Sequence, residues 1–215
     1  MILVVKIFLS FLIGSIPFAK IAMLGTGIDI KKVGSGNPGF LNVSRVASWW
    51  RSAIALIGDL SKGYVALWLL DRGEISSISP WMMGIAAVMG HCWSPFLGFD
   101  GGKGVATTFG VLLYLDWKIT IPCLPLYFIL RFIGSRMGWS QKGAIASLST
   151  AFLITALEMI LRGIQPGLFS CVMLAIVVVR HTPNLREIMA SGSAAPSAES
   201  KSRSANVQAA PRQSR

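Results

Sequence analysis

His91-Cys92-Trp93-Ser94-Pro95-Phe96-Leu97-Gly98-Phe99-Asp100-Gly101-Gly102-Lys103-Gly104-Val105-Ala106-Thr107-Thr108 joins two apolar runs, about 80–97 and 105–115. Between them lie glycines and a single lysine, too flexible to continue a helix and too polar for hydrocarbon. A second break of the same kind, Gly34-Ser35-Gly36-Asn37-Pro38-Gly39, is followed by Asn42 and Arg45. It separates apolar runs at about 2–24 and 52–70. Glycine lets successive backbone N–H groups point into one concavity, and a neighbouring cation adds full charge to those partial charges. Two cationic nests between long apolar runs predict phosphate sites at a bilayer surface.

The rest of the chain agrees with a membrane. Of 215 residues 53% are hydrophobic and only 13% charged, about half the charge of an ordinary soluble domain. The mean hydropathy is +0.62. The formal net charge of +11 falls in short loops and a tail, as membrane topology requires, so nucleic-acid binding is not expected. Further apolar segments run over about 118–133, 143–161 and 164–180, giving seven, of which 105–115 is the shortest and could be a half-helix or join its neighbour. The expected fold is an all-α integral membrane protein, a bundle of about seven transmembrane helices. Lys31, Lys32, Arg45, Arg51, Lys103, Arg136, Lys142, Arg180 and Arg186 all fall on one side of seven crossings. Positive loops stay cytoplasmic, so the N-terminus is expected outside, with the C-terminus and both nests in the cytoplasm.

The first segment reads as a retained helix, because apolar character resumes beyond Pro17 and no small-residue cleavage site follows. Cys92, Cys123 and Cys171 lie in apolar runs without metal-ligand spacing, which predicts small core hydrophobes. Residues 1–190 form the expected membrane domain, and 191–215, rich in Ser and Ala with scattered charge, a disordered basic tail. No internal repeat is evident.

In the first loop the donors are backbone N–H groups of Gly34, Gly36 and Gly39, the Ser35 hydroxyl, the amides of Asn37 and Asn42, and the Arg45 guanidinium, whose fork suits phosphate. The second offers Gly101, Gly102 and Gly104, the Lys103 ammonium, and a helix start near Val105 and Thr107 aimed at an anion. It lacks Walker A spacing, so a nucleotide triphosphatase is not expected. Asp59 and Lys62 are three apart inside an apolar run, which predicts either a buried pair or a border of the site. His91 and His181 stand at segment ends, and His181, next to Arg180 and near Asn184, has the stronger case as proton acceptor or phosphate ligand. Neither a Gly-x-Ser-x-Gly elbow nor a Ser-His-Asp set appears, so an acyl-enzyme is not expected.

In this order the motifs resemble the bacterial membrane acyl-phosphate:glycerol-3-phosphate acyltransferases, the PlsY family, over about residues 10–190. Gly14-Ser15-Ile16-Pro17-Phe18, Gly34 to Gly39 with Asn42 and Arg45, Asp59-Leu60-Ser61-Lys62-Gly63, and His91 through Thr107 carry the resemblance. Arg180-His181 and Asn184-Leu185 resemble the start of a third motif. That motif departs from the family pattern: Glu187 replaces an arginine, Arg186 sits one place early, the glycine is displaced to Gly192, and Ser193 replaces a closing glutamate. The resemblance implies transfer of an acyl chain from acyl phosphate to the 1-hydroxyl of glycerol 3-phosphate, giving lysophosphatidic acid and inorganic phosphate in the bacterial inner membrane. It implies Ser35, Arg45, Lys103 and His181 as catalytic residues, the base being either His181 or the substrate's own phosphate, with Gly34, Gly36, Asn37, Gly39, Asn42, Gly101, Gly102, Gly104, Thr107 and Asn184 holding substrate. It implies neither cofactor nor metal, and partners limited to the two substrates and membrane lipid. An inactive paralogue and a small-anion transporter are the competing expectations.

Overall fold

The structure is a computed structural model that describes residues 1–71 and 76–193. Among these residues no strand occurs. The helices are α1 (Ile2–Ser15), α2 (Phe18–Ala22), α3 (Phe40–Val46), α4 (Trp49–Leu70), α5 (Ser79–Cys92), α6 (Val105–Arg136), α7 (Lys142–Arg162), α8 (Ile164–Arg180) and α9 (Thr182–Ser193). Arg72, Glu74 and most of the expected tail, from residue 194 on, lie outside the described residues.

Four stretches are long and apolar enough to cross a membrane: 2–22, α4, α6 and α7. A fifth is the pair α8 and α9, bent by 60° at its break. The difference from the expected seven has two physical sources. At 14 residues α5 rises only about 21 Å, short of a ~30 Å hydrocarbon core. The expected segments 105–115 and 118–133 fall within the one 32-residue element α6.

That element breaks at Asp116, whose φ of −150° and ψ of 80° leave the helical region. The Asp116 carboxylate accepts from the backbone N–H groups of Lys118 (3.1 Å) and Ile119 (3.3 Å), capping the second half as it ends the first. Contacts on either side show the chain turning back there. Tyr114 donates to Asp71 at the end of α4 (3.1 Å), and Asp116 pairs with Arg162 at the end of α7. Ser135, by contrast, accepts from Lys142 at the start of α7 (3.2 Å). The first half therefore leads away from the glycine loops and the second returns toward them.

Glycines within the helices let neighbours approach backbone to backbone. A Cβ at Gly14 would overlap the Ala87 backbone, and one at Gly90 the Phe11 carbonyl, so α1 and α5 pack as a small-residue pair. Gly63 and Gly110 play the same part between α4 and α6. The core of Leu67, Met83, Val88, Val111, Ile154 and Met173 lies between these helices. Phe8, Trp68, Phe128, Phe132, Phe152 and Ile160 face outward, each more than half exposed. In water so many exposed large apolar groups would drive aggregation, whereas in a bilayer they meet lipid.

Candidate active site

Both glycine loops come together at one end of the bundle. Lys31, just before the first loop, ties it to the second: its ammonium pairs with the Asp100 carboxylate (2.9 Å) and donates to the carbonyls of Leu97 (3.3 Å) and Asp100 (3.2 Å). Hydrogen bonding from Lys31 holds the Asp100 carboxyl below its usual range, against a smaller opposing effect of burial.

The loops differ in one respect from the expected nests, because most of their N–H groups bind within the protein. Ser35 N–H donates to the Asn42 side chain (2.8 Å), Gly36 N–H to Val33 (3.0 Å) and Gly39 N–H to Asn37 (2.9 Å). Gly101 and Gly102 donate to the carbonyls of Cys92 (3.0 Å) and His91 (3.1 Å). A short loop must satisfy its own buried donors before it can offer any to a ligand. Asn42 is likewise engaged within the loop: fully buried, its amide donates to Ile30 and Val33, each at 3.0 Å. Thr107 donates to the Asp59 carbonyl (2.9 Å), joining α6 to α4.

Glycine at 102 and 104 has a spatial reason. The Gly102 backbone lies against the His91 imidazole, where any Cβ would overlap Nε2. Gly104, at φ +82°, turns the chain into α6 in a left-handed conformation that a side chain resists. Beneath them Asp59, Lys62 and His91 form a buried cluster. Lys62 pairs with Asp59 (2.8 Å) and donates to the Ile16 carbonyl (2.8 Å), while His91 Nδ1 stands 3.5 Å from the same Asp59 oxygen. The pair expected between Asp59 and Lys62 thus borders the loops as well. The cluster lines a cavity of about 10 Å³ together with Pro38, Ser94 and Gly102.

Above that floor the charges are cationic. Lys103 is half-buried, and burial holds its ammonium below the ordinary lysine value of 10.5; the positive charges of Arg45 and Arg180 lower it further, with Glu187 opposing. Lys103 donates to Asn184 on α9, and Asn184 in turn donates to Gln141 (2.6 Å). Arg180, read in the sequence as a topology cation and the start of the third motif but not as a site residue, grips the second loop by donating to the carbonyls of Gly101 (2.6 Å) and Gly102 (3.0 Å), with Trp93 beside its guanidinium. Its place at the end of an apolar run, beside His181, was the available signal. Ser35 is exposed on the first loop and Arg45 on the last turn of α3, and Asn37 is half-buried.

His181 lies between Arg180 and Asn184 in the chain. It is buried, its Nδ1 donates to the Val177 carbonyl (2.8 Å), and its Nε2 faces the Ser147 hydroxyl (3.4 Å). The Nδ1 bond closes the end of α8 on its own backbone, and only Nε2 reaches across to α7. The positive charge of Lys103 lies near enough to act on this imidazole.

Comparison with known proteins decides the family. The sequence profile of glycerol-3-phosphate acyltransferase matches residues 4–191. The chain belongs to the glycerol-3-phosphate acyltransferase family. The family member from Aromatoleum aromaticum is 32% identical, aligned over 84% of this chain and 89% of its own. That from Laribacter hongkongensis is 34% identical over 86% and 92%. The fold matches a crystal structure of PlsY, an integral membrane glycerol 3-phosphate acyltransferase in its glycerol 3-phosphate form, with a TM-score of 0.75 at 24% identity, covering 88% of this chain and 92% of that one. Its lysophosphatidic acid form gives 0.74. This member of the acyltransferase family is thus an enzyme of apolar helices with its two glycine loops joined at one end.

Proposed function

We propose that the enzyme transfers an acyl chain from acyl phosphate to the 1-hydroxyl of glycerol 3-phosphate, releasing lysophosphatidic acid and inorganic phosphate. The carrying observation is that Arg45 and Arg180 lie near enough for their charges to act on Lys103, which Asn184 holds. Three cations held together repel one another, and a bound dianion relieves that repulsion. Two phosphate-bearing substrates account for such a concentration of charge.

An acyl phosphate is already activated, so the protein supplies no nucleophile. The glycerol 3-phosphate hydroxyl attacks the acyl carbon, the new ester C–O bond forms, and the bond to phosphate breaks with its electron pair leaving on the phosphate oxygen. Lys103 and Arg45 hold the phosphates together against their repulsion and stabilise the leaving charge. Ser35 and Asn37 at the loop surface orient the hydroxyl. Asn42, Gly34, Gly36, Gly39, Gly101, Gly102, Gly104 and Thr107 serve by fixing the two loops. The hydroxyl proton passes to a substrate phosphate oxygen, since the His181 ring nitrogens are engaged elsewhere; His181 is a positioning residue. An open apolar groove between α7 and α8, lined by Leu148, Phe152, Leu174 and Val178, begins one turn from Ser147 and His181 and takes the acyl tail.

The site faces the cytoplasm of a bacterial inner membrane, with the N-terminus outside and seven crossings in all. The reversal at Asp116 supports that count, and the gathering of Lys31, Arg45, Lys103, Lys142 and Arg180 at one end supports that orientation. Residues 1–190 make up the acyltransferase domain. The altered third motif, with Glu187 near Lys103, favours reduced phosphate affinity over loss of function, because Lys103 and Asn184 remain joined. Kinetic alanine substitution tests the site: Lys103→Ala and Arg45→Ala should each lower kcat/KM by about 10²-fold or more while the protein stays folded. Near-normal rates in both would remove the assignment.

A further inference from the structure

Lys103 reaches the site on a flexible four-carbon stem, and its position there depends on what holds the ammonium. Its hydrogen-bond acceptor is the Asn184 carbonyl oxygen. A side-chain amide has an acceptor end and a donor end of nearly equal shape, and turned the other way Asn184 would aim its NH₂ group at the ammonium. The Gln141 carbonyl oxygen accepts from the Asn184 NH₂ at 2.6 Å. With that donor end fixed on Gln141, the acceptor end is left for Lys103. Gln141 immediately precedes α7, at its N-cap position, but its side chain makes no capping bond to the helix.

We propose that Gln141 is a positioning residue for the reaction, orienting the Asn184 amide so that it holds the Lys103 ammonium in place. The order of contact is loop, α9 and second glycine loop, three segments distant in sequence joined through two hydrogen bonds. The importance of that link rests on Lys103 binding substrate phosphate, as proposed above. Its geometry does not.

Two readouts separate those claims. Competitive labelling of the purified protein with acetic anhydride, followed by mass spectrometry of the Lys103 peptide across pH, reads how readily the ammonium loses its proton, with no turnover required. In Gln141→Leu the Asn184 amide is free to turn, the ammonium loses its acceptor, and Lys103 should label about three- to tenfold faster than in the wild type at a pH below its midpoint. Gln141→Glu retains an acceptor and should restore slow labelling, while Lys6, far from the loops in α1, labels alike in all three. Steady-state kinetics on the same proteins should show kcat/KM reduced about tenfold in Gln141→Leu, with its alkaline limb moved to lower pH, and recovered in Gln141→Glu. Unchanged Lys103 labelling in Gln141→Leu overturns the proposal. Labelling that changes as described between the variants, with a wild type devoid of acyl transfer, would leave the Gln141–Asn184–Lys103 link standing and remove both its role in the reaction and the proposed function.

Discussion

At the scale of single residues, the decisive property is the titration of Lys103. Burial and the neighbouring Arg45 and Arg180 lower its pKa, so as pH rises it loses charge before an ordinary lysine does. The free enzyme therefore loses its grip on a dianion on the alkaline side, and kcat/KM should fall at a pH below 10.5. A bound phosphate favours the charged ammonium, so the corresponding limb in kcat should lie higher. Lys103→Arg keeps its charge throughout, and the limb should vanish even where the absolute rate drops. A limb that survives in Lys103→Arg would assign it to another group. Lys103 and Arg45 were legible as candidates from glycines beside a cation. The nest geometry was not, because the loop N–H groups pair with carbonyls of Cys92, His91 and Val33, which only folding brings near. The surroundings of His181 were not legible for a related reason: a histidine at a segment end reads the same whatever its ring meets, here Val177 and Ser147.

At the scale of elements, the buried cluster under the second loop makes a sharper test than any surface contact. Asp59 and Lys62 are each 3% exposed and pair at 2.8 Å. Removing one partner leaves the other as an uncompensated buried charge, at about 3–5 kcal/mol, whereas removing both is close to neutral. Asp59→Asn and Lys62→Met should each lower thermal stability sharply, and the double variant should recover most of the loss. Additive losses would mean that the two side chains act separately. Their spacing of three made the pair readable in sequence, since helix geometry alone places them on one face. The break in α6 was legible too, since the apolar runs 105–115 and 118–133 leave Asp116 between them. Its capping of Lys118 and Ile119 N–H was not, because in sequence it looks like any polar residue between apolar runs. A further element-level expectation concerns Gly102, where a methyl group would overlap the His91 ring. Gly102→Ala should displace the loop and reduce turnover about tenfold or more, because misplacement of about 1 Å is enough to cost that much. Unaltered kinetics would show that the loop accommodates a methyl group there.

At the scale of the whole molecule, apolar composition and clustered cations made a helical membrane protein legible without any coordinates. Span number was less so, since a 14-residue α5 and a folded-back α6 depart from the simple rule of about 20 residues per crossing. The proposed orientation has its own consequence. In a background without native cysteines, Ser44→Cys beside Arg45 should react with an impermeant thiol reagent from the cytoplasmic side alone, and Ser77→Cys before α5 from the opposite side. Labelling of both from one side would contradict the topology. The central claim is the reaction itself, and it is tested by phosphate release from the purified protein in lipid, with palmitoyl phosphate present and glycerol 3-phosphate either added or omitted. The account predicts release that depends on glycerol 3-phosphate and is matched by lysophosphatidic acid. A folded protein that releases no phosphate, beside an active relative assayed in the same way, would contradict it.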